Sequence, residues 1–250
     1  MNRKSETVNP GVDARMETEF AGAGCSTLRL SIPGYRGLFD RRFAGETAAD
    51  EFVRRVDAVM CQGQVLKSDR ASFVSRVLWN GHDVVVKRYN HRGLWHSLRH
   101  TIKGSRAKRN WLSAQQLLSR KIATPEPLAY LEEYRGLLLW RSYFVARFVA
   151  GPQVHQVLRD KTAADAQKQR INDLVLTLLR TMAEHGISHG DMKHTNLLFD
   201  GTGIVLTDLD AMRIGGAAWR RRRRYRRDLD RYLRDLSGLR MTSTPSQGAQ

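Results

Sequence analysis

Apolar residues between Thr162 and His185 fall at Ile171, Leu174, Val175, Leu178, Leu179 and Met182, the spacing that lines one face of a helix. The same period places Phe52, Val53, Val56 and Val59 or Met60 on one side of a helix over Thr47–Met60. After that helix the pattern turns strand-like, over Gln64–Lys67, Ala71–Trp79 and Asp83–Tyr89. The last two runs flank Asn80-Gly81, a pair suited to a two-residue hairpin turn because both positions accept positive φ. Helical spacing returns over Gly93–Ile102 and Ser105–Arg120, and strand-like runs over Pro127–Leu131 and Leu137–Val149. Beyond Gly151-Pro152 the chain reads as mainly helical. Two short strands, Leu197–Asp200 and Gly203–Thr207, precede an arginine-rich helix over Trp219–Leu236. A β-rich first lobe (about 27–149) and a small, mainly helical second lobe (about 150–240) predict an α+β fold with a cleft between them. Residues 1–26 and 241–250 are polar and without period, and are expected to be a disordered leader and tail.

Composition changes this picture little: 250 residues, 41% hydrophobic, suffice for a buried core and exclude wholesale disorder. Two cysteines, Cys25 and Cys61, exclude a disulfide scaffold and read as free thiols in a reducing compartment. Neither a signal peptide nor a membrane-spanning run is visible, so an intracellular chain is expected.

Charge changes it more. The net charge is +17, and it is concentrated. Val84–Pro125 carries ten basic residues and no acid, and Arg213–Arg240 carries eleven arginines and three aspartates. Blocks of this kind attract nucleic acid, anionic membrane or phosphorylated substrate. Nucleic acid is the weaker reading, because only Trp219, Tyr225 and Tyr232 interrupt the arginine run and no stacking platform is spaced along it. His91, His96 and His100 lie in a basic stretch without nearby cysteine or carboxylate, and read as surface or phosphate-facing residues. Trp79, Trp95, Trp111 and Trp140 read as core or rim packing.

The candidate chemistry lies in His189-Gly190-Asp191-Met192-Lys193-His194-Thr195-Asn196 and, beyond it, Asp208-Leu209-Asp210. Phosphoryl transfer needs a carboxylate to accept the attacking hydroxyl's proton, oxygen ligands for Mg²⁺, and a cation on the transferring phosphate. Asp191 suits the base, Lys193 the phosphate partner, and Asn196 and Asp208 the metal ligands. Lys87, ending Val84-Val85-Val86 after a hairpin, stands where the strand-three lysine of a kinase would lie.

These pieces resemble the lipopolysaccharide kinase (Kdo/WaaP) family. The resemblance runs from about Leu28 to Leu239 through VVVKRY, SRAKRNW, TPEP, HGDMKHTNLL, LTDLD and RYRRDLDRYL. It implies a two-lobed protein-kinase-like fold and ATP with Mg²⁺. It further implies an acceptor hydroxyl on Kdo or heptose of the lipopolysaccharide core on its lipid A precursor. Arg220, Arg221, Arg222, Arg223, Arg224, Arg226 and Arg227 would then face the anionic membrane or the substrate, on the cytoplasmic face of the inner membrane. Two departures stand out. No glycine-rich loop precedes Lys87; Lys67 and Arg70 occupy that place and would hold phosphate by charge. Asn110 stands where relatives carry the glutamate that pairs with the lysine, and is expected to hydrogen-bond Lys87. The alternatives are another phosphotransferase, of a protein or a small molecule, and a pseudokinase or anion-binding module. A protein kinase is disfavoured because only forty-two residues follow Asp208 and no A-P-E occurs among them.

Overall fold

The computed structural model describes residues 26–90 and 104–241. The expected leader up to residue 25, the tail from 242, the helix over Gly93–Ile102, Trp95 and His91, His96 and His100 lie outside the described residues. The first element is an antiparallel hairpin, β1 (Thr27–Ile32) and β2 (Tyr35–Asp40). Pro33 and Gly34 turn it, with Gly34 at φ 81°, a backbone conformation that glycine adopts without penalty. The hairpin is absent from the sequence expectations above, although Leu28, Leu30 and Ile32 alternate along β1 and the first two are buried.

Helix α1 (Glu46–Gln62) follows, then β3 (Gln64–Ser68), β4 (Ser72–Trp79) and β5 (His82–Tyr89). Asn80 (φ 47°) and Gly81 (φ 77°) make the expected tight turn between β4 and β5. Helix α2 (Arg106–Ser119) starts on Ser105, whose hydroxyl accepts the Lys108 N–H at 2.9 Å and so satisfies one of the four free donors of that end. Strands β6 (Pro127–Arg135) and β7 (Leu138–Arg147) complete an all-antiparallel sheet of order β1-β2-β6-β7-β5-β4-β3.

Alternation along β5 sorts its side chains. Val84 and Val86 face α1, with Arg88 on the same side donating to Asp57 of α1 at 2.8 Å. Lys87 and Tyr89 face the opposite side, toward α2. On the α1 side Phe52 packs edge-on against Phe39, Phe43 and Trp79. Truncating it to alanine would cost about 3–5 kcal/mol. Trp111 of α2 packs on Tyr130 on the other side.

The second lobe is built from α3 (Val154–Arg159), α4 (Asp165–Glu184) and α5 (Ala218–Met241) with two small ribbons. The ribbons are β8 (Ile187–Ser188) with β11 (Arg213–Ile214), and β9 (Leu197–Phe199) with β10 (Ile204–Leu206). Ile171, Val175, Leu179 and Met182 of α4 are buried against them, while Leu174 and Leu178 are only partly covered. The first lobe is tied to the second at Ala123 and Thr124, whose carbonyl and hydroxyl bond the backbone of Leu206 at 2.9 and 2.8 Å.

Candidate active site

Pairing of β9 with β10 places their flanking residues together. Leu197 faces Leu206, so Asn196 and Thr207 meet one step further on, where Thr207 donates to the Asn196 carbonyl from its N–H (2.9 Å) and its hydroxyl (3.0 Å). Asn196 and Asp208 thereby come to one end of the ribbon although twelve positions separate them. Asp208 itself adopts the left-handed conformation (φ 58°), uncommon for a residue with a side chain.

The loop carrying Asp191 is fixed by α5. Asp228, buried, accepts the N–H groups of His189 and Gly190, each at 2.8 Å. Burial pushes the Asp228 carboxyl above its ordinary range, against the pull of these two N–H bonds. His189 is fully buried and bridges to the Thr207 carbonyl at 2.9 Å, joining this loop to the residue before Asp208. The Asp191 carboxylate pairs with Lys193 at 3.0 Å and has Arg231 of α5 at 3.8 Å. The Asn196 amide nitrogen donates to the Asp191 carbonyl at 2.9 Å, which leaves its amide oxygen as the atom to meet a cation.

Across the cleft, Lys87 reaches Asp208 at 2.6 Å and Asp210 at 3.4 Å. The expected bond between Lys87 and Asn110 is not formed, because Asp210 takes both partners. Buried Asn110 donates its amide N–H groups to Tyr89 Oη at 2.9 Å, to the Arg106 carbonyl at 3.0 Å and to Asp210. Asp210 therefore stands between the lysine and the asparagine. It also accepts from Tyr89 at 2.6 Å and pairs with Arg106. Burial would raise the Asp210 carboxyl, yet the Lys87 and Arg106 charges and the Tyr89 and Asn110 bonds hold it below its ordinary value. Burial pushes the Tyr89 phenol well up, and the Asp210 charge adds to that.

Lys67 and Arg70 sit apart from this cluster in character. Both are exposed, and Lys67 is paired with Asp69 at 3.0 Å. Asp69 closes the β3–β4 turn by accepting the N–H groups of Ala71 and Ser72, both at 2.7 Å, so a side chain organises the turn that glycine backbone would otherwise form. On α5, Arg220–Arg223, Arg226 and Arg227 are exposed as expected, whereas Arg224 is partly buried and donates to the Gly215 carbonyl. Asp210, Asp228, Tyr89, Arg106 and Arg231 are the site residues that sequence reasoning missed, Asp210 having entered only as part of a motif.

A sheet lysine meets two aspartates of the second lobe across the cleft, and the class, a phosphotransferase, follows from the family the chain matches. The profile of the lipopolysaccharide kinase (Kdo/WaaP) family matches residues 60–247, three-quarters of the chain, and the chain belongs to that family. The match begins at Met60 rather than near Leu28, so β1, β2 and nearly all of α1 precede it. Among solved structures the fold is similar to WaaP in complex with acyl carrier protein, with TM-score 0.52 and 19% identity over 73% of each chain. No curated protein matches.

Proposed function

We propose that the protein is an ATP-dependent kinase that phosphorylates a hydroxyl of Kdo or heptose in the lipopolysaccharide inner core. The observation that carries the reading is the Asp191 loop, pinned by Asp228 and His189 beside Asp208, with Lys87 facing it from the sheet. The donor set fits Mg²⁺. Asn196 and Asp208 offer oxygen only, and among the described residues no cluster of three or more His, Cys, Asp or Glu forms a cage. Mg²⁺ characteristically takes one or two protein oxygens and completes its shell with water and phosphates. When bound, it would neutralise charge on the phosphates.

In this reading Lys87 holds the α- and β-phosphates, and Asp191 accepts the proton of the attacking hydroxyl. Lys193, held on the Asp191 carboxylate, faces the transferred phosphate. Lys67 and Arg70 lie at the rim and attract nucleotide by charge, and Asn110 acts from behind the phosphate site rather than on it. Arg231 adds a cation next to Asp191, suited to an acidic acceptor such as a Kdo carboxylate. The exposed arginines of α5, with Trp219 61% exposed beside them, form a face for anionic headgroups and would keep the enzyme peripheral to the inner membrane's cytoplasmic face. No helix among the described residues is long and apolar enough to cross a membrane. The carrier protein bound to the solved WaaP is a second occupant to test on the same face.

The test is incubation of purified protein with ATP, Mg²⁺ and intact or deacylated core acceptors, followed by mass spectrometry to locate the phosphate. Transfer to a Kdo or heptose hydroxyl is expected. Transfer only to protein or to a small soluble alcohol would overturn the reading.

A further inference from the structure

We propose that Asp210 is the positioning carboxylate for Lys87, and that it takes over the task of an acid on α2. The inference rests on the kinase reading above. A lysine that holds phosphates needs an anion that stays in place when the nucleotide and cation arrive. Asp208 is the nearer partner, at 2.6 Å, but in the proposed mechanism its carboxylate serves the cation. Asp210 has no such second duty, and its position is fixed by three side chains from two elements. Tyr89 of β5 donates to one oxygen at 2.6 Å, Asn110 of α2 donates to the same oxygen, and Arg106 of α2 pairs with the other. Lys87 shares that second oxygen at 3.4 Å.

This geometry explains why position 110 carries an amide. A glutamate there would bring a second carboxylate against Asp210, and like charges in contact repel each other. An asparagine supplies donors instead, which is what Asp210 requires. The missing acid on α2 is thus the complement of an acid two residues beyond Asp208. The pair Asn110 and Asp210 is predicted to be exchangeable only together.

Three variants test this: Asp210→Asn, Asn110→Glu, and both combined. Each is measured for thermal unfolding, for MgATP affinity by calorimetry, for Mg²⁺ dependence and for phosphate transfer. Asp210→Asn is expected to lower kcat about tenfold to a hundredfold, the cost of a misplaced reacting group, with an unchanged Mg²⁺ midpoint. Asn110→Glu alone is expected to lower both the unfolding temperature and kcat. The double variant should regain at least tenfold in kcat over the poorer single variant, and should unfold at a higher temperature than Asn110→Glu. An Asp210→Asn chain that fails to fold remains informative, since the double variant must then recover the folded state. The inference is overturned if Asp210→Asn keeps kcat within twofold, if its Mg²⁺ midpoint shifts as a metal ligand's would, or if the double variant shows no rescue. A wild-type protein that neither binds MgATP nor transfers phosphate would sink the kinase reading. The unfolding temperatures would still decide the charge arrangement.

Discussion

A Cβ at position 190 would lie 2.6 Å from the Ala211 carbonyl oxygen, and the backbone there has φ 84°. Only glycine meets both demands, so the sequence His-Gly-Asp is dictated by a close pass between the loop and the segment after Asp210. Asp191, the next residue, is predicted to act on the acceptor and not on the nucleotide. Asp191→Ala should therefore reduce turnover by about 10²–10⁴ with MgATP affinity nearly unchanged; a variant retaining more than a tenth of wild-type kcat would falsify the assignment. Asp228 gives a different signature, because its carboxylate accepts two N–H groups at once. In Asp228→Asn the amide nitrogen must face one of them, leaving a buried donor unpaired at a cost of about 1–3 kcal/mol. A lowered unfolding temperature and a lowered kcat are expected together. Burial raises this carboxyl above its ordinary value of 3.8, so the folded state keeps the proton that the unfolded chain has lost. Its contribution to stability thus declines as pH rises from about 3.8 through the folded value. The stability gap between wild type and Asp228→Asn should narrow over that window, as chemical denaturation across pH would show.

Helix α2 brings Arg106 and Asn110 to Asp210, so its first turn matters beyond its own stability. Ser105→Ala removes the cap to the Lys108 N–H and should cost about 1 kcal/mol. Melting curves check the magnitude, and a loss of activity larger than the stability loss would indicate that Arg106 has moved. The helix itself is legible in the sequence, as is α4, because each repeats its apolar positions at a helical period, while β4 and β5 are legible from short apolar runs flanking Asn80-Gly81. Lys87, Asp191, Asn196 and Asp208 are legible for a related reason: they sit in or just after short contiguous motifs. What the pattern does not carry is pairing between distant polar residues. Asp210 meets Asn110 from 100 positions away, and Asp228 meets Gly190 from 38. A faint signal exists for Asp228. It is an acid within an arginine run, on the stripe of Tyr225, Leu229 and Tyr232 that packs α5 onto α4 and the Asp191 loop. An acid on the buried side of a basic helix needs donors, and here they are the backbone N–H groups of His189 and Gly190. The β1–β2 hairpin carries a period too, Leu28, Leu30 and Ile32 alternating along β1, but it holds no chemical motif and lies ahead of the family match.

At the scale of the whole molecule the charge of +17 and the orientation of α5 belong to one argument. Tyr232 and Asp228 anchor the helix inward, which leaves Arg220–Arg223, Arg226 and Arg227 outside. From Arg220 to Arg231, which lies beside Asp191, is roughly 16 Å along the helix axis. A membrane held at the first turns would therefore leave Asp191 within reach of sugars standing above the headgroups. Each exposed arginine contributes about 1 kcal/mol near an anionic surface, and that attraction is screened over about 8 Å at physiological salt. Trp219 adds an apolar contact that salt does not screen. Co-sedimentation with vesicles containing anionic lipid should then show binding that weakens steeply, but not entirely, as salt rises. Replacing Arg220–Arg223 with glutamine should remove the steep part and leave the unfolding temperature unchanged, because these side chains are exposed. Trp219→Ala should remove the remainder. Binding that ignores both salt and lipid charge would show that this face does not meet the membrane.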